Sequence, residues 1–144
     1  MMMALLMNLG LIPFIIFGFL HSDDVLEIAS LGDVSDLLLS YSSLVLVFMS
    51  GALWGQKLIL RGQVDLPLYF ISNVIMLVVW FSSHMLSFVW IIAVHSVLYM
   101  LLLAVDLLMF KRGFIAEWYL YNRILITIAI ILLFLDYLNK INIF

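Results

Sequence analysis

At 144 residues the chain has room for one domain, and 67% of it is hydrophobic against 10% charged, where soluble domains run nearer roughly 45–50% and about 25%. A soluble domain of this size would need far more polar side chains to cover its surface, so the surplus of apolar surface must face lipid. The chain has no cysteine, and its net charge of −3 comes with six scattered basic residues, which excludes disulfides and thiolate chemistry and argues against a nucleic-acid partner.

A spanning helix needs roughly 20 mostly apolar residues. The first candidate covers about 3–20, interrupted by Asn8, Gly10 and Pro13. A cleaved signal peptide is the competing reading of this stretch. It lacks a basic leading region and a small-x-small cleavage site, so a retained span is expected. Residues 21–36 then carry Asp23, Asp24, Glu27, Asp33 and Asp36 without a single Lys or Arg. If Ser22 to Leu31 is helical, Val25, Leu26 and Ala29 share one side and Gly32 stops the helix, so a short amphipathic segment on the membrane surface is expected.

The second span is expected over 37–55, followed by Gln56, Lys57, Arg61 and Asp65. A third opens at Pro67, a favourable first-turn position for proline, and runs over 67–81. Ser82-Ser83-His84 is the sole polar break before the apolar run that forms the fourth span, 85–110. Ignoring that break would leave a helix twice the bilayer thickness, so a turn at 82–84 is expected. Lys111-Arg112-Gly113 closes the fourth span, and the fifth covers 118–138.

Charge placement supports the count. With the N-terminus inside and the C-terminus outside, Lys57, Arg61, Lys111 and Arg112 lie in inner loops and Lys140 lies outside, as the cytoplasmic bias of basic residues requires. Trp54, Trp80, Trp118, Tyr119 and Tyr137 fall near span ends, where amphipathic rings settle. The expected architecture is an all-α integral membrane bundle of five transmembrane helices, one domain over 1–144.

An ionisable group in hydrocarbon costs from about 2.5 kcal/mol upward, so each one needs a partner or a purpose. Asp106 and Arg123 lie symmetrically about the turn of the last hairpin, so an intramembrane ion pair is expected. His95, Tyr99 and Asp106 follow at i, i+4 and i+11 and therefore share one helix face. Imidazole, phenol and carboxylate in a stripe can relay protons, hold a quinone head or ligate haem through His95. A plain polar seam between helices is the simpler account. Asn73 on the third span is a further interior candidate. In the second span Ser43, Ser50, Gly51 and Gly55 offer small side chains for close helix approach, and Gly51 to Gly55 fits the small-xxx-small pattern. The acidic segment reads as a solvated face rather than a cation site. No Gly-rich phosphate loop, His-Glu-x-x-His or Gly-x-Ser-x-Gly pattern occurs, so no metal centre and no catalytic residue is expected.

Several of these pieces together resemble a known family. They are Leu11-Ile12-Pro13-Phe14, Tyr41-Ser42-Ser43, and Phe48-Met49-Ser50-Gly51-Ala52-Leu53-Trp54-Gly55. Later come Asp106 and Trp118-Tyr119-Leu120-Tyr121-Asn122-Arg123, with Thr127 beyond. The likeness is to the small multi-span membrane proteins of unknown function in proteobacteria and mitochondria that include transmembrane protein 69. That family's pattern has a histidine before the Trp-Gly pair, where Leu53 stands here, so no role of that histidine carries over. An Ala or Gly is commoner where Ser43 stands. The resemblance implies a bacterial inner-membrane protein, or a mitochondrial one if eukaryotic, and supports Asp106 and Arg123 as sites. It supplies no substrate.

Three functions fit. The first is a non-enzymatic subunit or assembly factor acting through helix packing, with the bilayer, other membrane proteins or a second copy as partners. The second is a small transporter or proton pathway along His95, Tyr99, Asp106 and Arg123. The third is a quinone- or haem-binding protein.

Overall fold

The computed structural model describes residues 7–22, 27–28, 32–60 and 66–140. A helical stretch at Met7–Leu9 leads through a turn at Gly10–Leu11 into α1 (Ile12–Ser22). Pro13 has no N–H to give to the preceding turn, which is why the helix interrupts here. The backbone is rejoined by Leu11 N–H donating to Asn8 O and Ile15 N–H to Leu11 O, both at 3.0 Å. The expected start of the first span, 3–6, lies outside the described residues, as do 23–26, 29–31 and Arg61.

Glu27–Ile28 (β1) pairs antiparallel with Gly32–Asp33 (β2). The amphipathic surface helix expected over Ser22 to Leu31 is therefore not formed at these residues, where a minimal β ladder stands instead. Asp33 has a different task. Its carboxylate accepts from Ser35 N–H at 2.6 Å and caps α2 (Val34–Ile59), with Asp36 in the first turn. Both acidic groups complement the helix dipole. That cap starts α2 three residues before the expected Leu37, and the helix runs four residues past Gly55.

Helix α3 spans Leu68–Met85 and α4 spans Phe88–Lys111. The break between them falls at Leu86–Ser87, not at Ser82-Ser83-His84. The three polar residues stay helical because their side chains bond back to their own helix. Ser82 and Ser83 hydroxyls both donate to Val79 O, and His84 Nδ1 lies 2.8 Å from Trp80 O. Polar atoms satisfied this way do not end a helix. Leu86 and Ser87 instead adopt extended backbone.

After α4 the chain turns sharply. Gly113 takes φ +77°, its N–H donates to Phe110 O, and Phe114 N–H donates to Met109 O. This is a Schellman ending, which needs a residue free to adopt left-handed backbone. Helix α5 (Glu117–Lys140) follows. The α2, α3, α4 and α5 helices are each long and apolar enough to cross a membrane, while Met7–Gly18 is apolar but shorter.

The packing has two unequal halves. Helices α2, α3 and α4 contact one another as a triangle. On the other side α1, α2, α4 and α5 contact in a ring of four. Three cylinders pack without a central void, whereas four leave one unless large side chains fill it. At one end aromatic rings do so: Phe14 meets Tyr41 at 5.1 Å and Phe134 at 6.1 Å, edge-on, and Phe134 lies 6.4 Å from Tyr99. Tyr137 belongs to this end as well. It is 1% exposed and its hydroxyl lies 2.8 Å from Ser35 Oγ, so it ties α5 to α2 rather than sitting at a lipid interface. Trp54, Trp80 and Trp118 are all exposed.

Candidate functional site

Two buried polar clusters use the same face of α4. On that face His95, Tyr99, Leu102, Asp106 and Met109 are all buried, as the i, i+4, i+11 spacing requires.

The first cluster joins α4 to α2. Ser42 Oγ lies 2.9 Å from His95 Nδ1 and 3.5 Å from the Tyr99 hydroxyl, which itself donates to Ser42 O at 3.3 Å. Ser42 is 0% exposed, and so are His95 and Tyr99. His95 Nε2 is buried without a hydrogen-bond partner. His95 is not among the residues that line the three cavities found beside the described helices.

The second cluster joins α4 to α5. Arg123 Nε donates to Asp106 Oδ2 at 2.7 Å, and the two side chains are 6% and 5% exposed. The expected ion pair is present. Arg123 Nη1 donates to the Met49 thioether at 3.2 Å, so the guanidinium bridges α5 to both α4 and α2. A thioether is a weak acceptor, and it is a poor match for a cation. Among the described residues, no hydrogen bond links Tyr99 to Asp106, and Leu102 lies on the face between them. The polar stripe is thus two separate clusters.

The ion pair borders a cavity of about 610 Å³ inside the four-helix ring. Its walls include Phe14 of α1, Leu44, Met49 and Ala52 of α2, and Ile130 of α5. Polar groups gather at one end: Asp106, Arg123, Tyr119 and Gln56. Gln56 Oε1 is buried and has no hydrogen-bond partner. Tyr41 lines the same cavity and donates its hydroxyl to Gly10 O at 3.0 Å. That bond satisfies a carbonyl in the turn ahead of α1, as apolar surroundings require.

Other expected sites land elsewhere. Asn73 is exposed on the outer face of α3, not interior. The buried line of that helix is Leu68, Ser72, Ile75, Val79 and Ser82, and one residue of offset rotates Asn73 by about 100° away from it. Ser43 and Ser50 hydroxyls bond back to Leu39 O and Val47 O within α2. Gly51 and Gly55 are exposed, with no atom within 4 Å of where a Cβ would stand. Among the described residues they make no close helix contact. Among the described residues no group of three metal-ligating side chains occurs.

Ser42 and Met49 stand in the sequence reading only inside the motifs that carry the resemblance, and Gln56 only as the residue after the second span; none has a site role there. Ser42 had a readable signal, since Leu38 and Leu46 stand four residues on either side and mark it as buried. The roles of Gln56 and Met49 depend on how α5 lies across α2, which no pattern within α2 reveals.

Four helices long and apolar enough to cross a membrane, with an ion pair buried between two of them near their shared turn, are the features of a helical membrane protein. The chain belongs to the DUF3429 family, described as a protein of unknown function, whose family model matches residues 1–138. No curated protein and no solved structure matches it.

Proposed function

We propose that the protein is a non-enzymatic, five-span protein of the inner membrane that works as a subunit or assembly factor through helix packing. In this reading the N-terminus is inside, and the end of the bundle carrying Lys57, Lys111 and Arg112 faces the basic-rich side. The likeness to transmembrane protein 69 is taken as common descent within this uncharacterised family.

The observation that supports the packing role is the outer face of α2. A glycine inside a helix costs roughly 0.5–1 kcal/mol relative to alanine, and close backbone approach is the usual compensation in membranes. Among the described residues, no atom lies within 4 Å of where a Cβ would stand at Gly51 or Gly55. A helix from another membrane protein or a second copy would supply the missing contact.

The test uses the absence of native cysteine. Gly51→Cys should form a specific cross-link in native membranes, to a second copy or to one discrete partner. Gly51→Leu and Gly55→Leu should fold normally yet lose that association in native gels. A wild-type protein that runs as a partnerless monomer by both measures would overturn the reading. The proton-pathway alternative has less support, because the stripe on α4 is interrupted between Tyr99 and Asp106.

A further inference from the structure

The cavity beside the ion pair has no part in helix packing, and its chemistry is specific. We infer that it binds a membrane-soluble molecule with an apolar tail and an uncharged head that both accepts and donates hydrogen bonds, chemistry shared by quinols and monoacylglycerols.

Four observations lead there. The volume of about 610 Å³ falls within the roughly 300–1,000 Å³ of small-molecule sites. Leu44 and Phe48 line the cavity and are 66% and 80% exposed, so the mouth opens sideways toward lipid and the ligand enters from the bilayer. The inner end offers complementary wants. Arg123 spends a donor on the Met49 thioether, a position that a carbonyl or hydroxyl oxygen would fill better. Gln56 Oε1 is buried with no donor facing it, a deficit that a head-group O–H would remove.

Charge selects the head. Asp106 and Arg123 already neutralise one another. A ligand anion or cation would enter as an unpaired charge in low-dielectric surroundings, at a large desolvation cost. A neutral head avoids it.

The test places the full-length protein in phosphatidylcholine nanodiscs and follows its thermal midpoint against added ligand, since binding to the folded state raises it. The probes are a decyl-tailed benzoquinol, monoolein, dodecane and phosphatidic acid. A saturable rise is expected with the quinol, the monoacylglycerol or both, and whichever acts identifies the source. Gln56→Leu should weaken that binding about tenfold, the loss of one hydrogen bond in an apolar site. Ala52→Phe should abolish it by filling the cavity while leaving the ion pair untouched. No saturable rise with either neutral-headed probe overturns the proposal. So does a rise equally large with dodecane, or larger with phosphatidic acid. Wild-type affinity in both variants overturns it as well.

Discussion

The two polar clusters on α4 share a helix face and differ in almost everything else. The Ser42–His95–Tyr99 cluster sits where α2 and α4 touch directly, fully enclosed, with neutral groups bonded to one another. The Asp106–Arg123 cluster sits where the ring of four helices leaves a gap, and its groups border open volume. Burial alone does not distinguish a structural polar seam from a binding site. What distinguishes them is whether space adjoins the polar atoms: aromatic rings fill the four-helix ring beside Tyr99, and a cavity is left beside Asp106 and Arg123.

The strongest way to break this contrast is to remove one charge. Asp106→Leu leaves an uncompensated guanidinium in the bundle and should cost about 3–5 kcal/mol, while Asp106→Leu with Arg123→Met should recover most of that. Steric-trapping or detergent unfolding measures both. If the single variant is no less stable than the double, the pair is not coupled and the cluster is not a clamp.

The enclosed cluster should respond more weakly. Single and double alanine substitutions at Ser42 and His95 should show a coupling energy of about 0.6–1.7 kcal/mol, the range of interhelical hydrogen bonds in membranes. A coupling above the ion-pair value would reverse the ranking of the two regions. The smallest effect belongs to the exposed i, i+4 pair of Asp136 and Lys140, 2.5 Å apart at the end of α5. Asp136→Ala should change stability by roughly 0–1 kcal/mol, screened further by salt. A larger loss would mean that this end of α5 is less solvated than its exposure indicates.

Asp106 with Arg123 was legible because the hairpin turn is short, so equal distance from the turn means equal depth. The four long apolar helices were legible for the same kind of reason, since length and hydropathy are properties of the chain itself. The α3–α4 break at Leu86–Ser87 lies beyond the polar residues because polarity alone is not turn chemistry. Serine and histidine in lipid satisfy themselves on their own helix and let it continue. Asn73 failed by one residue of helical phase, a quantity set by which side of α3 meets α2 and α4. The cavity was invisible to sequence reasoning, because a void is defined by residues from four helices and by what none of them fills.

Gly113 bears on how the chain enters the bilayer. Its left-handed backbone keeps the link between α4 and α5 to five residues, Arg112 to Ala116. Asp106 and Arg123 are thus held together by a short tether rather than left to find one another across the membrane. Each alone would oppose insertion of its helix by about 2.5–3.5 kcal/mol, whereas a preformed hairpin presents a neutral pair. The turn therefore favours entry of the last two helices as a single unit during synthesis. A bulky residue at position 113 would act on membrane integration before it acted on the finished fold.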